Sequence, residues 1–305
     1  MPVPSAPFRS APPSPRVDNL RGIVLMLLGF FFFAACDAQA KFLTDTMHPV
    51  QIVWFRMMGL FLGVVVFLGM KGLHHLRSAK PLLQIGRGVT ATLSAICFII
   101  GVSFVPLADA VAVTFIAPFL VTILGALFLR EPVGPRRWIA VAVGFVGMLI
   151  VIRPGMGVFH PAILFIIVAA FMFAFRQIMS RWLSGADGIG TTVAYTSITA
   201  TVLSTTMMPF VWVWPEDPSL WLIAAGLAAT AGLGELLVIR ALAIAQAVVV
   251  APMQYSMILW GTFYGYMVFA DLPDQWTLVG CTIIVASGLY TLHRERLAAK
   301  RANAG

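Results

Sequence analysis

Apolar stretches of roughly 17–25 residues, long enough to cross a bilayer as helices, follow one another from residue 20 to residue 292 with only short polar breaks. A water-soluble domain has nowhere to bury apolar surface in so regular a rhythm. In lipid, every backbone polar group must be satisfied within the span, so the chain is read as an all-α membrane protein. Ten transmembrane helices are expected, over residues 20–43, 49–70, 82–105, 107–129, 136–152, 161–183, 190–214, 220–244, 247–270 and 275–292. The third and fourth are parted by little more than Pro106, and the eighth and ninth by Ala245 and Gln246.

Charge becomes informative only against these spans. The 305 residues carry 20 Lys plus Arg and 12 Asp plus Glu, a net +8 that on a soluble protein would invite nucleic acid. Here it describes orientation. With the N-terminus in the cytoplasm, Arg9, Arg16, Arg21, Lys71, Arg77, Lys80, Arg130, Arg136, Arg137, Arg181, Arg294, Arg296, Lys300 and Arg301 fall on the inner side. Asp45, Glu216, Asp217, Asp271 and Asp274 fall outside, and only Lys41 and Arg153 break the rule. Both termini are therefore expected in the cytoplasm and no nucleic-acid partner is expected, the membrane lipids taking that place. Residues 1–19, rich in proline with serine and alanine, read as a disordered cytoplasmic tail, and 293–305 as a basic cytoplasmic tail. Ala38-Gln39-Ala40 has the small-residue form of a signal cleavage site, but the apolar run before it is longer than a signal peptide's. Cys36, Cys97 and Cys281 lie apart inside apolar runs and read as small core residues.

Shifting the chain on itself by 140 residues aligns Ala34 with Ala174, Lys41 with Arg181, Leu43 with Leu183, Gly125 with Gly265, Glu131 with Asp271, and the break at Pro106 with that at Gln246. One register thus matches a basic residue, an acid and a helix break. Residues 20–155 and 161–292 read as two five-helix repeats. Five crossings are an odd number, so the second copy enters the membrane upside down. Inverted repeats of this kind characterise secondary transporters with a midplane site between the halves, alternately open to either side.

Charged groups at bilayer depth mark where such a site lies. Asp37 is about six residues, and Arg56 about seven, from the outer ends of their spans, so each lies roughly 10 Å deep. Arg176 and Glu235 hold similar positions from the inner side. These four are expected to form one pair at each mouth, Asp37 with Arg56 outside and Arg176 with Glu235 inside, either as alternating gates or as permanent braces. Lys41 and Arg240, near helix ends, are expected to snorkel. Asp37 or Glu235 can carry a coupling proton, whereas metabolite exchange needs none. Gln39, Gln254, Tyr255 and the aromatic Trp54, Tyr195 and Trp260 suit the wall of a pocket for an organic solute, though Trp and Tyr serve packing and the interface equally. Pro118 and Pro252 fall inside spans and are candidate hinges. Gly59-x-x-x-Gly63 and Gly261-x-x-x-Gly265 permit close helix contact, within the chain or in a homodimer.

Other residues carry a resemblance. Ala117-Pro118, Phe128-Leu129-Arg130-Glu131, Arg137-Trp138 and Val143-Gly144-Phe145-Val146-Gly147 look like the end of the fourth helix and the start of the fifth in the ten-helix EamA branch of the drug/metabolite transporter superfamily. Phe55-Arg56, Arg240-Ala241-Leu242 and Val250-Ala251-Pro252-Met253-Gln254-Tyr255 look like further family patterns. The second half departs from the family, with Ile258 where the repeat would place a proline and Asp271 in place of the usual Glu. The resemblance implies a central cavity lined by helices one to four and six to nine. Asp37, Lys41, Arg56 and Arg87-Gly88 look more like the branch with S-adenosylmethionine and riboflavin uptake proteins than like the sugar-phosphate carriers.

Enzyme chemistry finds no footing: no H-E-x-x-H, G-x-S-x-G, Walker loop or clustered His and Cys occurs, so no catalytic residue, metal or cofactor is expected. A channel's repeated filter motif or ring of like charges is equally absent from the sequence. The expectation is a multi-pass inner-membrane secondary active transporter for a small organic metabolite (an amino acid, nucleoside-like compound, vitamin or similar). The alternative is a passive exchanger or channel-like facilitator.

Overall fold

The structure is a computed structural model that describes residues 18–130, 134–153, 160–183 and 186–302. The proposed N-terminal tail up to residue 17 and Glu131 of the repeat alignment lie outside the described residues. Within them the chain is helical throughout: α1 (Asn19–Leu43), α2 (Pro49–Lys71), α3 (Pro81–Val102), α4 (Leu107–Thr114), α5 (Ala117–Phe128), α6 (Pro135–Ile152), α7 (Ile163–Leu183), α8 (Ile189–Val211), α9 (Pro218–Ile244), α10 (Ala247–Val250), α11 (Ser256–Phe269) and α12 (Gln275–Ala302). A 3₁₀ turn, Ala251–Tyr255, joins α10 to α11.

The starts follow from the sequence. Pro49, Pro81, Pro135 and Pro218 open α2, α3, α6 and α9, where a missing N–H costs nothing. Asp18 accepts a hydrogen bond from the Arg21 N–H and Asp217 from that of Ser219, capping α1 and α9. The last helix continues through Ala302, beyond the end of the apolar run, because nothing in Arg-Glu-Arg-Leu-Ala-Ala-Lys-Arg-Ala breaks it.

Six helical stretches among the described residues are long and apolar enough to cross a membrane: α1, α2, α3, α7, α9 and the α4–α5 stretch Leu107–Phe128. Helix α8 is long but rich in hydroxyl groups. Some of these turn back on their own helix, with Thr196 Oγ1 donating to the Thr192 carbonyl and Ser204 Oγ to that of Ala200.

Two spans are broken where proline falls. Pro118 cannot donate to the Thr114 carbonyl, and the chain tightens instead into shorter bonds, Phe115 N–H to Ala112 and Ile116 N–H to Val113, between α4 and α5. Pro252 sits in the 3₁₀ turn that parts α10 from α11.

The principal packed pairs join helices distant in sequence: α1 with α9, α3 with α7, α6 with α12, α2 with α9, α3 with α8, α2 with α8, α1 with α11 and α5 with α7. Exchanging the helices of one half for their counterparts in the other leaves this set unchanged. Small residues set the closest approaches, as expected where dispersion rather than water expulsion drives association. A Cβ on Gly59 would run into the Ala228 carbonyl oxygen, so α2 rests directly on the α9 backbone. Gly59 is thereby used within the chain, and Gly63 faces open space. Gly147 and Gly280 bring α6 and α12 together reciprocally, each leaving room for the other's backbone.

Candidate functional site

Asp37 and Arg56 meet. The Arg56 Nη1 donates to Asp37 Oδ1 at 2.7 Å, with the Asp37 side chain 5% exposed and that of Arg56 18%. Helices α1 and α2 scarcely pack on each other, and α9, which packs on both, holds them in place. Two residues along α1, Gln39 Oε1 accepts from Thr230 Oγ1 of α9 at 3.0 Å.

The expected inner pair does not form. Arg176 and Glu235 make no ion pair with each other, because α7 packs on α3 and α5 while α9 packs on α1 and α2. Arg176 instead lays its guanidinium over Phe173, 4.7 Å from the ring centre, and its buried Nε finds no acceptor among the described residues.

Arg87 is the member that depth counting passed over. It lies six residues inside the start of α3, about 9 Å deep by the helical rise, a position the same count used for Arg176 would have singled out. Its Nε donates to Ser180 Oγ of α7 at 2.7 Å and its Nη1 to Thr196 Oγ1 of α8. Ser180 passes the bond on to the Arg176 carbonyl at 2.9 Å. Besides the Asp37–Arg56 pair, the apolar helices thus carry the guanidiniums of Arg87 and Arg176 and the half-buried carboxylate of Glu235.

A cavity of about 470 Å³ opens between α5, α6, α7, α12 and the 3₁₀ turn. Pro118, Phe173, Gln177, Ser180, Gln254 and Tyr255 are among its lining residues. Tyr255 is stacked on Phe115, with ring centres 5.3 Å apart, and its hydroxyl lies against Gly288.

The other aromatic candidates lie elsewhere. Trp54 donates from Nε1 to Thr205 and packs with Phe55 and Trp212 in an aromatic cluster that also holds Trp214 and Trp221. Tyr195 donates to the Leu76 carbonyl at 3.0 Å, tying α8 to the α2–α3 connection. Trp260 packs edge-on against Phe31 of α1, and its buried Nε1 has no partner among the described residues. Lys41 does not simply snorkel: its Nζ donates to the Val105 carbonyl at 2.7 Å and lies 3.8 Å from Asp271.

Each end of the bundle is fastened. At the end bearing the α1–α2 and α8–α9 connections, Gln51 exchanges two hydrogen bonds with the Val213 backbone, and Arg153 pairs with Asp274 at 2.5 Å. At the opposite end Asp187 accepts from Ser78 Oγ, the Ala79 N–H and Gln84 Nε2 at 2.5, 2.9 and 2.8 Å. These donors hold the Asp187 carboxyl below its ordinary range.

Apolar helices enclosing a shared polar interior of opposite charges define a multi-pass membrane protein of the transporter type. The sequence model of the EamA-like transporter family matches residues 20–153 and again 160–292, and the chain belongs to this family, part of the drug/metabolite transporter superfamily. It is 26% identical over 282 residues to an S-adenosylmethionine uptake transporter of Rickettsia felis, covering 92% of this chain and 96% of that protein. It is 29% identical over 197 residues to a riboflavin transporter of Vibrio cholerae serotype O1, covering 65% and 66%. With the pseudopaline exporter CntI of Pseudomonas aeruginosa it shares 26% identity over 269 residues, 87% of this chain and 94% of the exporter. A solved crystal structure at 17% identity superposes with a TM-score of 0.61, covering 92% of this chain and 98% of its own, and has the same fold.

Proposed function

We propose that this chain is a secondary transporter that carries a small organic metabolite across the inner membrane by alternating access, with ten spans and both termini in the cytoplasm. The α4–α5 stretch forms the fourth span, and α10, the 3₁₀ turn and α11 form the ninth. The two family matches and the exchange symmetry of the packed helix pairs support two inverted repeats over 20–155 and 161–292. The observation that carries the reading is the set of opposite charges placed within apolar helices of both halves: the Asp37–Arg56 ion pair and the hydrogen-bonded Arg87 in the first, and Arg176, whose buried Nε has no partner among the described residues, and the half-buried Glu235 in the second.

Because the principal packed pairs run across the halves, one intact half does not rock on the other. Access alternates instead by bending at the two broken spans, around Pro118 and Pro252 beside the cavity, while Asp37–Arg56 and the Asp187 clasp open in turn. The relatives named for S-adenosylmethionine, riboflavin and pseudopaline include both uptake and export, so direction is set by experiment.

Untargeted comparison of intracellular and extracellular metabolites is the test, in cells with the protein, without it and with Arg56→Ala. The reading expects a small set of polar metabolites to redistribute with the wild type and to return to the protein-free pattern with Arg56→Ala. Unchanged profiles across all three lines would remove it. Flux in vesicles with and without a pH gradient then separates proton-coupled accumulation from exchange.

A further inference from the structure

The 140-residue offset that relates the two halves also aligns their helix ends: α1 with α7 at Leu43 and Leu183, α2 with α8 at Pro49 and Ile189, α4 with α10 at Leu107 and Ala247, and α6 with α12 at Pro135 and Gln275. Under inversion, each wall of the cavity then has a counterpart at the opposite end of the bundle. Gln177, Ser180 and Arg181 of α7 answer to Asp37, Ala40 and Lys41 of α1, and Tyr255 answers to Phe115. The two copies of this surface differ. On α7, Gln177 and Ser180 are half-buried and Arg181 is exposed, and all three line the cavity, which opens toward the last turn of α7. On α1, Asp37 and Ala40 are buried and the Lys41 side chain is only 14% exposed. Phe115 and Tyr255, counterparts of each other, lie stacked, so this ring pair parts the open surface from the closed one.

Lys41 fastens the closed copy. Its Nζ donates to the Val105 carbonyl at 2.7 Å, lies 3.8 Å from Asp271 and sits 5.0 Å from the centre of the Phe269 ring. One ammonium thus ties α1 to the α3–α4 connection and to the α11–α12 connection. Hydrogen bonds from a charged donor are stronger than neutral ones, and the ring face adds attraction. We propose that the structure is the inward-open state and that Lys41 latches shut a mirror-related outer pocket walled by Asp37, Ala40, Thr114 and Phe115. This rests on the alternating-access reading above and names the second mouth of that site and the residue that holds it closed. Release of Lys41 from Val105 and Asp271 frees α1 to take the exposure that α7 has here. The outer pocket carries a carboxylate, Asp37, where the inner one carries the neutral Gln177, so the two mouths are not equivalent toward a charged solute.

The test labels the full-length chain with a membrane-impermeant maleimide after Cys36, Cys97 and Cys281, its three cysteines, have been replaced by alanine. Ala40→Cys reports the outer pocket in right-side-out membrane vesicles, and Gln177→Cys reports the inner cavity in inside-out vesicles. Gln177→Cys is expected to label readily with the latch intact. Lys41→Met is expected to raise the labelling rate of Ala40→Cys about tenfold, Asp271→Asn to raise it less, and Lys41→Arg to leave it near the level of the intact latch. Equal labelling of Ala40→Cys with and without these substitutions overturns the latch. A rise confined to Lys41→Met overturns it too, because that marks local loosening of α1. Protection of Gln177→Cys from the inner side overturns the inward-open assignment. The metabolite comparison described above is read separately: redistribution with unchanged labelling removes the latch and keeps transport, and the expected labelling without redistribution keeps the latch and removes transport.

Discussion

Asp37 is buried and Arg56 largely so, and the pair's value is read best from what happens when half of it is removed. Asp37→Asn leaves a buried guanidinium without its carboxylate and is expected to cost about 3–5 kcal/mol, seen as a lower thermal midpoint of the purified protein. Adding Arg56→Gln removes the orphaned charge and is expected to restore most of that stability but not solute flux. A double variant that regains both would reduce the pair to a brace. Depth counting along the apolar runs was enough to bring Asp37 and Arg56 forward, because an ionisable group so far from either end has few reasons to be there. The same count applied to Arg87 would have found it. For Trp54, Tyr195 and Trp260 the sequence had no means to choose: an indole or phenol fills a packing gap and lines a pocket equally well, and only the position of Thr205, Leu76 and Phe31 decides.

Helix starts were legible as prolines after polar breaks, and the breaks between α4 and α5 and between α10 and α11 as prolines within apolar runs. Which helix lies against which was not, and that is why Arg176 and Glu235 were paired on depth alone. Helix pairing rests on surface shape, as at Gly59. A valine there would drive its side chain into the Ala228 carbonyl of α9, and Gly59→Val is expected to destabilise the protein by about 1–3 kcal/mol, whereas Gly63→Val, with open space around it, is expected to leave the thermal midpoint within about 0.5 kcal/mol of wild type. The clasp between the α2–α3 and α7–α8 connections gives a pH signature. Donors to the Asp187 carboxylate make it harder to protonate when folded, so its stabilisation is complete above the ordinary carboxyl value of 3.8 and fades as pH falls below it. Thermal unfolding of wild type and Asp187→Asn is therefore expected to differ at neutral pH and to converge in acid.

At the scale of the molecule, a chain in two similar halves could be proposed from matched residues at one offset, in keeping with a family model that matches twice, over 20–153 and 160–292. How the copies combine could not, because interdigitation leaves no periodic mark on a chain already apolar in every span. The packed pairs α1–α9, α3–α7, α2–α8 and α6–α12 each take one helix from either copy. Biosynthesis inherits a consequence. Helices α1 to α6 leave the ribosome without the surfaces they are shaped to meet, and Gly59 and Gly147 then present bare backbone grooves until α9 and α12 arrive. Residues 1–155 expressed alone are expected to be degraded, and co-expression with residues 156–305 as a separate chain is expected to rescue both, as immunoblots of membrane fractions would report. On the proposed duplication, the two halves are expected to mature only together, each acting as the other's folding template.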